Sequence, residues 1–193
     1  MEESQIPVKP TTKEENPWVE LARFIVIALV IIIPFRIFIA QPFVVSGSSM
    51  YPTFENGNYL IIDEISYRFT DPKRGDVIVF KYPADPKKFF IKRVIGLPGE
   101  TVDIKGVDVT ITNNEHPEGF TLLQPYVVNK ADNITHFALN ENEYFVMGDN
   151  RSGSSDSRYW GAVNKKFIIG RAFVRLLPIS QVDLFPGDYK QTE

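Results

Sequence analysis

Phe89-Phe90-Ile91-Lys92-Arg93-Val94-Ile95 is an apolar run broken by two adjacent cations. Read as a strand, it puts Phe90, Lys92 and Val94 on one face and Ile91, Arg93 and Ile95 on the other, because successive side chains alternate. Each cation then has apolar neighbours on its own face, and the pattern predicts that at least one is partly buried. The competing reading is an edge strand whose long side chains reach out to water. Similar short runs rich in Val, Ile, Phe and Tyr recur on both sides, at 59–62, 76–80, 101–104, 107–112, 144–147 and 167–177. Turn signals separate them at Asp71-Pro72-Lys73-Arg74-Gly75, at 82–86 and at Leu97-Pro98-Gly99. Strands punctuated in this way predict a mainly β domain, an antiparallel barrel or sandwich. No strand–helix alternation marks a doubly wound sheet. Residues 105–140 are more polar, carry Asn113-Asn114, and read as a small β insertion off the main sheet.

A different pattern precedes the strands. Residues 18–40, WVELARFIVIALVIIIPFRIFIA, are apolar apart from Glu20, Arg23 and Arg36. A bilayer crossing needs about 20 mostly apolar residues, so this window predicts a transmembrane anchor. Glu20 and Arg23 sit at its entering end, and Arg36 lies within snorkelling reach of the interface. Pro34 is tolerated in such a helix and predicts a kink. A cleaved leader fits less well, because no small-x-small site directly follows the apolar core. Residues 1–17 are polar and proline-bearing and read as a disordered tail. Lys9, Lys13 and Arg23 place that tail in the cytoplasm by the positive-inside rule. Residues 41–193 then form an extracytoplasmic domain.

Composition narrows the chemistry. The chain has 193 residues, 44% of them hydrophobic, which suits one globular domain plus an anchor. It has no cysteine, excluding disulfides, thiolate metal sites and a cysteine nucleophile. A net charge of −3 without a long basic run gives no nucleic-acid footprint. His116 and His136 lie in polar, loop-like contexts without ligand spacing. A Ser-His triad would have to use one of them, and neither context favours it.

A buried arginine stays charged and needs a carboxylate, whereas a buried lysine can lose its proton. Lysine ordinarily titrates near about 10.4, and desolvation can lower that by about 3–5, enough to make a working base. Serine with a lysine base is an alternative to the Ser-His-Asp arrangement. Two stretches offer hydroxyls. One is Ser46-Gly47-Ser48-Ser49-Met50-Tyr51-Pro52-Thr53-Phe54, which taken alone also reads as a linker. The other is Gly148-Asp149-Asn150-Arg151-Ser152-Gly153-Ser154-Ser155-Asp156-Ser157-Arg158-Tyr159-Trp160-Gly161, either a solvated loop or one ordered by internal ion pairs. In the second reading Asp149 neutralises Arg93 and a serine hydroxyl orients Lys92.

These stretches, in this order behind an apolar anchor, resemble the boxes of bacterial type I signal peptidases. Those are membrane-bound serine/lysine endopeptidases that remove signal peptides from exported preproteins. The resemblance covers nearly everything from Arg36 onward and includes Phe38-Ile39-Ala40-Gln41-Pro42-Phe43 and Arg74-Gly75-Asp76-Val77-Ile78-Val79-Phe80. It implies Ser49 as nucleophile, Lys92 as general base and Ser154 as the hydroxyl that orients the lysine. Asp149 with Arg93, and Asp156 with Arg158, are implied as supporting charged pairs. One departure is Gly47, where some members carry a serine that helps hold the oxyanion. The resemblance also implies an extended substrate between the segments before Ser49 and before Lys92. Val45, Met50, Phe54 and Phe90 are then candidate linings of shallow pockets for small residues. No cofactor is implied. The implied partners are exported preproteins, the lipid bilayer and the secretion translocon. The expected location is the cell membrane, as a single-pass protein.

Two other readings stay open. A membrane-anchored β-domain that binds partners without catalysis uses the same anchor and strands. A LexA-like self-cleaving regulator shares the Ser-Met pair, but the short proline-bearing tail offers no helix-turn-helix.

Overall fold

The structure is a computed structural model that describes residues 16–38 and 40–189, with the side chains of 31, 33–38 and 40 left outside the description. Two compact units divide the chain, Met1–Ile37 and Phe38–Glu193. Among the described residues the first holds helix α1 (Pro17–Phe38), 22 residues long, whose last residue belongs to the second unit. Its start follows from local chemistry. The Asn16 Oδ1 accepts the Trp18 N–H at 3.1 Å, and Pro17 takes the first helical position, where a missing N–H costs nothing. Its described apolar side chains, among them Phe24, Ile27 and Val30, are exposed. Among the described residues no helix is long and apolar enough to cross a membrane. The side chains of Pro34 and Arg36, and residues 1–15 of the expected tail, lie outside the described residues.

The second unit is mainly antiparallel β. Its strands are β1 (Ala40–Val44), β2 (Tyr59–Asp63), β3 (Val77–Tyr82), β4 (Asp85–Gly96), β5 (Thr101–Gly106), β6 (Asp108–Thr112), β7 (Phe120–Thr121), β8 (Asn133–Ala138), β9 (Glu143–Met147), β10 (Val163–Asn164), β11 (Ile168–Leu177) and β12 (Asp183–Leu184). Short helices α2 (Ser66–Phe69) and α3 (Ser157–Trp160) interrupt them. The large sheet has the order β1-β2-β11-β3-β4-β9-β10, with β12 on β11. A second sheet has the order β7-β6-β5-β8.

Among the described residues no barrel closes, which corrects the expected closed alternative: the outermost strands β1 and β10 of the large sheet do not pair with each other. The cause is visible in β4. It pairs with β3 from Asp85 to Arg93 but with β9 only from Arg93 to Gly96. Residues 85–92 therefore keep one edge without a strand partner among the described residues. At the other end β1 is an edge strand, and this explains why Pro42 is tolerated within it. A residue without an N–H fits an edge, where one side of the ladder is open.

The polar stretch 105–140 carries β6, β7 and β8, but the small sheet begins earlier, at Thr101. The reason is that β5 pairs with β6 and β8 instead of the large sheet. Alternation drives the burial: Leu60 and Ile62 of β2 point inward, as do Val102 and Ile104 of β5. One core cluster joins the small sheet to Ile95, Phe145 and Met147. Two others hold the large sheet, one around Met50, Phe54, Leu60 and Val79, the other around Ile78, Phe80, Val94 and Tyr144. The first of these carries the turn after β1, and the strand bearing Lys92 runs beside it.

Candidate active site

The turn 46–54 is fixed from below. Met50 and Phe54 are fully buried, and each such side chain contributes about 1.5–3 kcal/mol of burial free energy. They are core anchors and do not line the groove that opens above them. The Phe54 N–H donates to the Met50 carbonyl at 2.9 Å and closes the turn. Above them Ser49 is half-buried and lines an apolar groove of about 260 Å³ together with Phe43, Val45, Phe89, Phe90 and Lys92. Val45 and Phe90 thus do lie on this groove.

Lys92 projects from β4 with 4% of its surface exposed. Its Nζ donates to Ser49 Oγ at 2.7 Å and to the Ile91 carbonyl at 2.8 Å. Burial lowers its pKa to about 8, and the charges of Asp156 and Asp149 oppose that shift in part. Such an amine is neutral in about a tenth of molecules at pH 7, against about one in a few thousand for an ordinary lysine. A neutral amine hydrogen-bonded to a hydroxyl can take its proton.

Two buried ion pairs lie close to Ser49 and Lys92. Arg93 grips Asp149 through two bonds, Nε to Oδ1 at 2.8 Å and Nη2 to Oδ2 at 2.7 Å. Both side chains are shut off from water, and deleting one member of such a pair costs about 3–5 kcal/mol. Thr53 Oγ1 also donates to Asp149 Oδ2 at 2.5 Å, tying the serine turn to the pair. Arg158 binds Asp156 in the same two-pronged way, Nε to Oδ1 and Nη2 to Oδ2, both at 2.8 Å. Asp156 accepts the Gly148 N–H at 3.0 Å and caps α3 through the Arg158 N–H. Of the acids and arginines in 148–161, Asp149, Asp156 and Arg158 are thus held in two-pronged ion pairs.

Ser154 behaves differently from expectation. Its Oγ is buried and has no hydrogen-bond partner, so the bond to Lys92 that the resemblance implies is not made. The Oγ packs instead on Gly148. A Cβ at Gly148 would collide with Ser154 Oγ and with the Ser49 carbonyl oxygen. Glycine is required there by close approach of three chain segments.

Sequence reasoning missed several groups. Asn150 clamps the serine turn, its N–H on the Ser49 carbonyl at 3.1 Å and its Nδ2 on the Ser48 carbonyl at 3.0 Å. Its position inside the quoted loop was a signal, but nothing told which polar group would face Ser49. Arg93 is completed by residues with no local signal: Gly75 and Gly187 carbonyls accept its Nη1, and its guanidinium lies 4.0 Å from the Tyr126 ring centre. The Ser49 N–H makes no hydrogen bond among the described residues. Gly47 stands beside it with a φ of +93°, a backbone that favours glycine, and its N–H is held by Asn56 Oδ1 at 2.9 Å. His116 and His136 are outside the groove; His136 pairs with Asp103.

Residues 18–177 match the family model for signal peptidase, peptidase S26. The chain belongs to that family. It is 38% identical to a probable signal peptidase I-2 from Synechocystis over 93% of this chain and 83% of that one. It is 36% identical to a signal peptidase I from Leptolyngbya laminosa, covering 91% of this chain and 88% of that one. A solved signal peptidase I from Enterococcus faecalis V583 is 30% identical, covers 53% of this chain and 97% of that one, and has a TM-score of 0.44. The 148–161 loop, the serine turn and β4 all fall within the part matched by the signal peptidase family model, whereas Gly187 lies beyond it.

Two outcomes follow from this packing. Gly148→Ala should fold and lose about 100-fold in turnover, because shifting a reacting group by about 1 Å costs that much; unchanged turnover in a peptide-cleavage assay would contradict the packing role. Lys92→Met should alter the pH dependence of stability. Between pH 8 and 10.5 the unfolded chain holds a proton that folded Lys92 has lost, so the parent protein gains stability as pH rises through that window. Below it the full cost of the buried charge remains. Denaturant titrations should show the parent gaining roughly 3 kcal/mol on Lys92→Met across the window.

Proposed function

We propose that this chain is a membrane-anchored serine endopeptidase that removes signal peptides from exported preproteins, with Ser49 as nucleophile and Lys92 as general base. The observation that carries the proposal is the 2.7 Å contact between Ser49 Oγ and the Nζ of a buried lysine whose pKa is near 8. Family membership and relatives named signal peptidase I support the substrate class.

Neutral Lys92 takes the Ser49 proton as Oγ bonds to the scissile carbonyl carbon. The carbonyl electron pair moves to oxygen, beside the unpartnered Ser49 N–H. One missing oxyanion donor can cost about 100–1000-fold, and Gly47 supplies no hydroxyl, so a backbone or water donor takes the second place. Collapse restores the carbonyl, breaks the C–N bond, and passes the lysine proton to the departing amine. Water then attacks the resulting ester while Lys92 takes its proton and returns it to Ser49 Oγ. Ser154 offers a buried, unpartnered oxygen as a further acceptor for the protonated amine. Asp149–Arg93 and Asp156–Arg158 hold the loop that carries it.

The substrate enters as an extended strand. The outer edge of β1 and the free edge of 85–92 flank the groove, and a peptide there finds backbone donors and acceptors. Val45 and Phe90 narrow the apolar lining, which favours small side chains next to the scissile bond. In this proposal the apolar segment 18–40, read from the sequence, is the bilayer anchor: as a helix it would extend about 35 Å, against about 30 Å of hydrocarbon. The N-terminus is cytoplasmic and the β unit extracytoplasmic, near the translocon. Anchoring raises the local concentration of a substrate whose leader is already in the bilayer.

Preprotein cleavage by the parent chain, with Ser49→Ala and Lys92→Met each reduced at least about 10⁴-fold, is the expected result. Retained cleavage in either variant rejects the dyad, and no cleavage by the parent favours a non-catalytic binding domain. The ascending limb of kcat/KM against pH should have its midpoint near 8; a midpoint near about 10.4 would mean a solvated lysine.

A further inference from the structure

Three arginines are buried in and around the 148–161 loop: Arg93, Arg151 and Arg158. Arg93 and Arg158 each have a carboxylate gripped by two bonds. Arg151, 4% exposed, has none within ion-pair distance among the described residues. Its Nε donates to the Gly148 carbonyl at 3.0 Å, while its Nη2 is buried with no partner at all. Burial correspondingly holds its pKa below the ordinary arginine value. A guanidinium stays charged in a protein, so a buried one without an anion is a costly arrangement unless something completes it.

Arg151 lines a cleft of about 230 Å³ that shares no residue with the groove at Ser49. Lys130 stands on the same lining and is exposed. Gln124 is on it too, and its Oε1 is a second buried atom with no partner, here an acceptor. Ile104, Leu122, Val127 and Met147 supply an apolar wall, while Asp108, Thr121, Asn133 and Arg158 make the remaining lining polar, Asp108 lying on the exposed rim. The unmet needs are thus one anion, one N–H donor and a short apolar group.

We propose that this cleft binds the carboxyl-terminal residue of a peptide or another N-acylated amino acid, with its carboxylate on Arg151, its N–H on Gln124 and its side chain on the apolar wall. Lys130 adds charge at the entrance. The loop is a shared partition, with Ser155 on the groove and Arg151 and Arg158 on the cleft. Occupancy therefore reaches the same segment that holds Gly148 against Ser49. The site does not depend on Ser49 or Lys92 being catalytic.

The test uses the full chain in detergent at constant ionic strength, with N-acetyl-leucine as probe and N-acetyl-leucinamide as its neutral counterpart. At ten times its dissociation constant the acid should raise Tm by about 3 °C, with no shift from the amide. Lys130→Ala should weaken binding several-fold, and Arg151→Met should abolish it. Equal shifts from acid and amide, no shift from the acid at any concentration, or an undiminished shift in Arg151→Met would overturn the proposal. Should Arg151→Met fail to fold, methyl NMR of the parent decides. Acid-specific changes at Leu122 and Val127, without changes at Leu60 and Val79, support the cleft; the reverse pattern places the acid in the groove and refutes it. An acetylated tripeptide with a free carboxylate distinguishes a peptide end from a small acid. Tighter binding than N-acetyl-leucine supports a peptide terminus, and loss of binding restricts the site to acylated single residues.

Discussion

A lysine amine held out of water beside a serine hydroxyl is the constraint that the rest of the β unit serves. Desolvation lowers the pKa of Lys92, and it would also destabilise the fold if nothing else held the strand in place. The framework answers with covalent continuity and packing. Lys92 shares β4 with Val94 and Ile95, both buried in core clusters, so its backbone is fixed by apolar contacts on both sides. Ser49 sits on a turn whose next residue, Met50, is driven into a third cluster. The amine and the hydroxyl meet because three core clusters fix the backbones that carry them.

Charge is used around this centre with some economy. Asp149 and Asp156 lie close enough to raise the lysine pKa, yet each is occupied by its own arginine. Their negative charge is largely neutralised before it reaches Nζ, and burial remains the dominant influence on the amine. The same carboxylates organise the loop, since Asp156 binds the Gly148 N–H and Asp149 binds Thr53. The ion pairs thus position the serine turn and limit how strongly the lysine is recharged.

The adjacent cations of β4 illustrate how far a pattern can be read. Alternation places them on opposite faces, and their apolar neighbours pointed to burial of at least one; the structure buries both. It also leaves their fates distinct, because an arginine must keep its charge and a lysine need not. The Arg93–Asp149 pair was legible on that argument. The anchors Met50 and Phe54 were not separable from groove residues, because an apolar side chain next to a candidate nucleophile can point either way. Pro42 lies within β1, and the edge position of that strand makes a residue without an N–H acceptable there.

The sequence by itself determined the β character, the apolar N-terminal segment, and the short set of residues that could supply a serine, an amine and their ionic support. Periodicity and residue chemistry are local properties, and they survive without knowledge of the fold. Only the tertiary structure decided that Nζ and Oγ meet across 43 positions of chain, that Asn150 clamps the turn, and that Gly187 completes Arg93 from 94 residues away. It also left Ser154 without the lysine bond implied for it and kept the sheet open beside β4. Those outcomes depend on strand register and on which backbone carbonyls lie nearest, and such distances are set by packing between segments that no local pattern relates.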